Sequence, residues 1–183
     1  MIIEQFAAFA QPVLRTTIVR RTRRNHGLEH ATIHILASRI PNLRMAGRSS
    51  ENGFVLLGEA PQEMVEKAAH DALRRMQRGE HQLAIHPNCG TNLVTTGFMA
   101  TIAAMFGLIG SRRRDMFDRL PAVMSLVMLT LLIAPGVGTS LQKHITTDGD
   151  PADLEIISIT RSRVQMPFGG EPVTVHRVVT RSS

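Results

Sequence analysis

Tryptophan and tyrosine are absent from this chain of 183 residues, and aromatic residues make up only 4 % of it. An aromatic belt, which many membrane proteins place at the bilayer surface, is therefore excluded. The single cysteine, Cys89, excludes an internal disulfide and leaves the redox compartment open. Residues 1–14 are partly apolar but lack a basic start, so we expect no signal peptide.

Positive charge is in excess. The formal net charge is +6 and the isoelectric point is about 11.1, mostly because of arginine. Anionic lipid headgroups and nucleic acids could both respond to this charge. Basic residues are not interleaved with aromatics, so we expect lipid as the partner and no nucleic acid. Another membrane protein or a second copy of the chain remains open as a further partner.

Two uncharged runs stand out in an otherwise mixed sequence, Leu93–Gly110 and Leu120–Leu141. A bilayer core requires about 20 helical residues, and both runs come close to that length. Buried helices of a soluble protein are the alternative. The connector between the runs carries Arg112, Arg113, Arg114 and Arg119, which suits a tight turn at lipid headgroups. We predict a two-span hairpin in the cell membrane, with the remaining domain on the cytoplasmic side.

The most specific motif is His26-Gly27-Leu28-Glu29-His30, an H-x-x-E-H pattern. On a helix, residues four apart share one face, so His26 and His30 could grip one metal ion. Catalytic zinc takes three protein ligands and a water. Glu29 is then the candidate catalytic base, which takes a proton as the zinc-bound water attacks a carbonyl group.

Candidates for the third zinc ligand follow from the hairpin. The segments just before the first span and just after the second must emerge on the same side of the membrane. These segments contain His86, Cys89 and His144, each of which offers a ligand atom for zinc. His34 extends the helical stripe but is the weaker ligand, because the stripe drifts around the helix. In the alternative, His26 and His30 form a polar helix face, Asn88, Thr91 or Asn92 caps the first span, and Cys89 is a small buried residue.

The rest of the chain predicts a small mixed domain of class α+β, interrupted by the transmembrane hairpin. Four parts are expected: a basic amphipathic segment over 1–24, an αββαβ part over 25–92, the hairpin over 93–141, and strands completing the domain over 142–183. A helix over 24–40 is expected to be capped by Asn25. Further predictions are strands at 43–48, 53–57, 81–86, 154–159 and 173–179, and a helix over 61–78. The strand at 173–179 is expected at a sheet edge, with His70 and His176 at the surface.

The chain resembles an uncharacterised family of bacterial two-span membrane proteins from cyanobacteria and Chloroflexi, defined only as a domain of unknown function. The resemblance rests on residues 24–32, on residues 84–92 and on the two spans, and it extends from about Arg20 to Arg161. It implies a membrane location and supplies no activity. The H-x-x-E-H motif is also similar to that of the inverted zincin peptidases. Those enzymes take a downstream glutamate as third ligand, and the matching region here is the first span.

Two function classes therefore follow from the sequence. In the first, the protein is a membrane-bound zinc-dependent hydrolase, most simply a peptidase. In the second, it is a non-enzymatic membrane subunit or assembly factor whose histidine and cysteine cluster is structural or holds a metal without turnover. Lipid or pigment handling by the histidine-bearing surface is a third possibility.

Overall fold

The computed structural model describes residues 2–110, 112, 116–165 and 171–183. Ser111, Arg113 and Arg114 of the predicted arginine-rich turn lie outside these residues. The chain divides into two compact units, one formed by Met1–His86 with Lys143–Ser183 and the other by Pro87–Gln142. The first unit combines helices with an antiparallel sheet, which confirms the predicted α+β class.

The sheet of the first unit is antiparallel, with the strand order β1-β2-β4-β3 among the described residues. Its strands are β1 (Ala46–Ser50), β2 (Gly53–Leu57), β3 (Glu155–Val164) and β4 (Val173–Arg181). β4 pairs with β2 on one side and with β3 on the other. The predicted edge position of residues 173–179 is therefore wrong. Alternate residues of β4 are buried because helices cover one face of the sheet, and the alternation alone does not distinguish an edge strand from a central one.

His176 lies in this sheet and not at the surface, so its predicted exposure is wrong. It is fully buried in β4, where it pairs with Leu56 of β2 and with Arg161 of β3. Burial lowers the pKa of His176, and the positive charge of Arg161 lowers it further. The imidazole is therefore held neutral in the folded state at neutral pH.

The helices of the first unit begin and end at different residues from those predicted. They are α1 (Ile2–Phe9), α2 (Gln11–Leu14), α3 (Thr17–Arg39) and α4 (Gln62–Gln77). Thr16 occupies the N-cap position of α3 with extended backbone, and Asn25 lies buried inside the helix, so Asn25 is not a cap. The basic residues just before Asn25 belong to α3, and two of them contact the C-terminal part of the first unit. Arg24 pairs with Asp153 at 2.9 Å, and Arg23 donates to Thr147 O at 2.9 Å.

Residues 81–86 form no strand, which corrects another prediction. His81–Ala84 is a 3-10 helix, in which Leu83 N donates to Glu80 O and Ile85 N donates to Gln82 O, both at 3.1 Å. The apolar alternation of Leu83 and Ile85 suggested a strand, but this segment crosses over α3 instead of joining the sheet. Its last carbonyl groups are consequently left to side chains of α3.

Residues 25–36 of α3 are almost continuously buried because three neighbours surround them. Apolar side chains of α3, α4 and the sheet form one core, which includes Leu28, Leu36, Phe54, Leu56, Val65, Met76 and Val178. Asn25 and Glu29 hydrogen-bond to strand residues. His30 contacts the 3-10 segment. A helix with polar groups on two of its buried sides must satisfy them internally, and these contacts do so.

The second unit is a helical hairpin of α5 (Gly90–Leu108) and α6 (Met116–Leu141), followed by a π-helix over Gln142–Thr146. Gln142 Nε2 donates to Asn92 Oδ1 at 2.9 Å at one end, and Arg119 donates to Ile109 O at 2.9 Å at the other. The start of α5 therefore meets the end of α6, as the hairpin topology predicts. Both helices are long and apolar enough to cross a membrane, and Phe98 and Leu132 are 67 % and 78 % exposed.

Candidate metal centre

Helix α3 places His26, His30 and His34 on one side at intervals of four residues. The ring centres of His26 and His30 lie 4.4 Å apart, and the rings meet edge to face. His30 is buried at 3 % exposure, while His26 and His34 are half-buried. The predicted pairing of the two motif histidines is therefore present in the structure.

Backbone carbonyl groups hold both rings of the motif. His26 Nδ1 donates to Thr146 O at 2.9 Å, and His30 Nδ1 donates to Ala84 O at 2.7 Å. A carbonyl oxygen only accepts, so each Nδ1 carries a hydrogen, and in the neutral imidazole the lone pair is then on Nε2. Metal-bound histidines in proteins nearly always make such a second hydrogen bond, which fixes the tautomer and the ring orientation. Both imidazoles are thus in the form that binds a metal through Nε2.

Gly27 lets the two carbonyl-bearing segments lie directly against α3. A Cβ atom added at Gly27 would lie 2.3 Å from Asp148 O and 3.2 Å from Ala84 Cβ. Any larger residue would push these segments outwards. The glycine inside H-x-x-E-H therefore has a packing reason, because it brings the carbonyl acceptors within reach of His26 and His30.

The ring of His86 lies beside those of His30 and His34, so that His26, His30, His86 and His34 form a row of imidazoles. Its ring centre lies 5.7 Å from that of His30 and 4.6 Å from that of His34. Burial lowers the pKa of His86 to about 4, and the neighbouring His34 and His30 add to the effect. His86 is therefore neutral at physiological pH, which is the form that offers a lone pair to a metal.

Glu29 belongs to a different side of α3 from the histidines. It is 4 % exposed, and Ser49 Oγ of β1 donates to its carboxylate. A Cβ added at Gly47 of β1 would lie 2.1 Å from Glu29 Oε1. Only glycine therefore leaves room for the carboxylate at this position of the strand. These contacts tie α3 to β1. The catalytic role of Glu29 stays a prediction.

The other two predicted ligands, His144 and Cys89, come from different elements. His144 Nε2 lies 3.8 Å from Glu4 Oε1 of α1, and the His144 carbonyl accepts from Arg23 at 3.5 Å. Cys89, in the second unit, is buried and takes the N-cap position of α5, where its sulfur accepts from Thr91 N at 3.4 Å. The N-cap residue of α5 is thus Cys89 and not Asn88, Thr91 or Asn92.

The described residues include two adjacent imidazoles, His26 and His30 in the first unit, and one thiol, Cys89 in the second, as candidate metal ligands. Two imidazoles and a thiolate are ligands that zinc accepts. Copper and iron accept nitrogen and sulfur ligands as well, so the donor set does not identify the ion.

Residues 21–159 match the family described as a domain of unknown function, DUF6391. The chain belongs to this family. It is also 33 % identical over 134 residues to an uncharacterised protein of Picosynechococcus sp., and the match covers 68 % of this chain and 65 % of the relative. No solved structure matches the chain. The resemblance to an uncharacterised family is thereby confirmed.

The part of the chain that matches DUF6391 contains the whole row of imidazoles, Cys89 and both apolar helices. It ends inside β3 and leaves out β4. The candidate centre therefore lies within the portion that defines the family.

Sequence reasoning missed the backbone partners of the histidines, the carbonyl groups of Ala84, Ile85 and Thr146. The sequence of side chains does not indicate which backbone carbonyl groups accept hydrogen bonds from histidines. The packing position of Gly27 was the available signal, because a glycine in the middle of a helix lowers helix stability unless close approach requires it. His34 lies at the next turn of α3, and its ring neighbour His86 comes from a segment distant in sequence.

Proposed function

We propose that the protein is an integral membrane protein whose α5–α6 hairpin crosses the bilayer. The supporting observation is the exposure of large apolar side chains along both helices, among them Phe98, Phe106, Leu129 and Leu132. Burying such side chains stabilises a protein by about 1.5–3 kcal/mol each relative to leaving them in water. Lipid is the simplest cover for helices of this length.

The lipid contact extends to the N-terminal segment in this proposal. Phe6, Phe9 and Val13 are exposed on α1 and α2, and arginines follow at the start of α3. Apolar side chains beside basic ones favour the surface of a bilayer that contains anionic lipid. We place the first unit on the cytoplasmic side, where such lipids are concentrated.

Cysteine labelling tests this topology. In a Cys89→Ser background, an impermeant maleimide applied to intact cells should label Arg112→Cys, in the connector, and should spare Ser183→Cys until the cells are opened. Labelling of both positions from one side would contradict a membrane-crossing hairpin. Labelling of Ser183→Cys alone would leave the hairpin intact and reverse the orientation.

We further propose that the first unit binds a transition-metal ion, with zinc as the expected ion, through Nε2 of His26 and His30. The observation that carries this proposal is the pair of Nδ1 hydrogen bonds to backbone carbonyl oxygens, because they fix two adjacent imidazoles in the metal-binding tautomer. A purely structural polar face has no need for two rings held in the same tautomer at a ring-centre separation of 4.4 Å.

Cys89 is the proposed third ligand on chemical grounds. It follows His86 by three residues, so the chain keeps its Cα atom within about 11 Å of that of His86. Catalytic zinc takes three protein ligands and a water, whereas structural zinc takes four protein ligands.

Binding without turnover is favoured over hydrolysis by the contacts of Glu29. Its carboxylate accepts from Ser49 and lies against Gly47, which is a structural arrangement. A zinc-dependent hydrolase, most simply a peptidase, is the second candidate because Glu29 directly precedes His30 and is buried beside the centre. In that mechanism Glu29 would take the proton of the metal-bound water.

Metal analysis of protein purified without added metal distinguishes these functions. We expect an ion bound at His26 and His30 in the wild type and the loss of that ion in His26→Ala, because one of two fixed imidazoles is gone. Glu29→Gln and the exposed control His70→Ala should retain the ion. A hydrolase requires activity to disappear in both His26→Ala and Glu29→Gln, whereas a non-enzymatic protein shows no metal-dependent activity. Folded wild-type protein that takes up no ion would overturn the proposal.

Cobalt substitution then identifies the third ligand. A cobalt-bound thiolate gives a sulfur-to-metal charge-transfer band that imidazoles do not give. This band should be present in the wild type and absent in Cys89→Ser. If the band is absent from the wild type, Cys89 is not a ligand and the proposal holds only for the two histidines.

A further inference from the structure

His34 and His86 form a second pair of imidazoles beside the motif pair. Their ring centres lie 4.6 Å apart and the rings are tilted by 50°. His34 comes from α3, one turn after His30, and His86 comes from the segment that follows the 3-10 helix. Neither side chain therefore belongs to the H-x-x-E-H motif itself.

A backbone carbonyl group also fixes the tautomer of His34, but at the other nitrogen. His34 Nε2 donates to Ile85 O at 2.8 Å, which leaves the lone pair on Nδ1. His30 uses the preceding carbonyl, that of Ala84. Successive carbonyl groups of one segment thus hold histidines from successive turns of α3. This hydrogen bond is of the kind that supports metal-bound histidine.

The separation of the two rings fits a shared ion. Two imidazoles bound to one tetrahedral zinc, with metal–nitrogen distances of about 2.0–2.1 Å, have their ring centres about 5 Å apart. The ring-centre distance of 4.6 Å between His34 and His86 lies close to this value, as does the 4.4 Å between His26 and His30. Adjustment of the side chains by a few tenths of an ångström would suffice for either pair.

An open cavity gives access to His34. The cavity has a volume of about 550 Å³ and is lined by His34, Ser38, Glu80, Gln82 and Arg75, among others. The lining combines polar and apolar groups, and the carboxylate of Glu80 is paired with Arg75. Water from this cavity can complete the coordination of an ion at His34, whereas His30 is buried.

We propose that His34 and His86 hold a second transition-metal ion, so that the row His26, His30, His86 and His34 forms a two-ion centre. The second position uses Nδ1 of His34 and a ring nitrogen of His86, with water supplying the remaining ligands. Its ligands differ from those of the motif site, so each position can be tested without the other. The 5.7 Å between the ring centres of His30 and His86 is short enough for the two positions to be neighbours.

Zinc stoichiometry of the full chain in lipid nanodiscs tests this inference. After equilibrium dialysis against zinc and removal of the unbound ion, we expect two ions per wild-type chain. His34→Ala and His86→Ala should each retain one ion, and His26→Ala should also retain one. The combined variant His26→Ala with His34→Ala should retain none. His70→Ala, on an exposed part of α4, is the control and should retain both.

The outcomes separate this inference from the motif site. One ion in the wild type that survives His34→Ala and disappears in His26→Ala would overturn the second position and leave the motif site standing. One ion that shows the opposite pattern would support the second position and overturn the motif site. His34→Gln guards against a folding defect, because its amide can still donate to Ile85 O while offering no imidazole. Two ions in folded His34→Gln would contradict the inference directly.

Discussion

Replacing Gly27 by alanine is expected to lower the free energy of unfolding by about 2–3 kcal/mol and to remove the ion proposed to bind His26 and His30. The new Cβ would lie 2.3 Å from Asp148 O, which is well inside van der Waals contact. Relief requires outward movement of the segment that carries Asp148 and of the 3-10 segment that carries Ala84. These segments supply the carbonyl acceptors for His26 and His30, so overpacking and loss of ligand orientation have one cause.

The measurement is thermal unfolding in nanodiscs together with zinc content, and Gly97→Ala is the matched control. Gly97 lies within α5 with nothing within 4 Å of an added Cβ, so alanine there should stabilise its helix by up to about 1 kcal/mol. A Gly27→Ala protein with unchanged stability and full zinc occupancy would show that the close approach to Asp148 and Ala84 does not organise the centre.

The pairing of His26 with His30 could be predicted because it depends on helix geometry alone. Four-residue spacing puts two side chains on one face wherever the helix begins, so the error in the start of α3 did not affect this prediction. The two apolar helices were predictable for a similar reason, since uncharged runs of this length are visible in composition. Features that depend on a single helix and on the spacing of its residues could thus be predicted from the sequence.

Features that depend on contacts between two segments distant in sequence could not be predicted. His34 gains its significance from His86, and the tautomers of the motif histidines depend on carbonyl groups at Ala84 and Thr146. A carbonyl group is present at every residue, so sequence cannot indicate which ones accept from a side chain. Residues 81–86 were assigned to a strand for the same reason, because their contact with α3 overrides their alternation.

The three buried sides of α3 explain why one helix carries so many polar residues. Apolar side chains such as Leu28 and Leu36 face the core, the histidines face the 3-10 segment, and Asn25 and Glu29 face the sheet. The sequence of α3 alone, without these contacts, would suggest an amphipathic helix whose polar face is exposed to solvent. The H-x-x-E-H motif therefore directs its side chains two ways, with its histidines bonded to backbone carbonyl groups and its glutamate bonded to Ser49 of β1.

Asn25→Asp is expected to destabilise the first unit by about 3 kcal/mol, although it changes only an amide to a carboxylate. Asn25 is 1 % exposed; its Nδ2 donates to Ser50 O at 2.8 Å, and its Oδ1 accepts from Thr180 Oγ1 at 2.6 Å. The amide thereby joins α3 to the end of β1 and to β4. A carboxylate can keep the bond from Thr180, but it faces Ser50 O with a second acceptor and buries a charge.

Thermal unfolding across pH separates this explanation from a general packing defect. The new carboxyl group should have a raised pKa in the folded state, because burial and the facing carbonyl oxygen disfavour its charged form. The folded state then binds the proton more tightly than the unfolded state, so the difference from wild type should shrink as pH falls towards about 3.9, the ordinary aspartate value. Asn42→Asp, at an exposed position, should match the wild type throughout. A deficit for Asn25→Asp that is the same at every pH would mean that shape, and not the donor to Ser50 O, determines the contribution of Asn25.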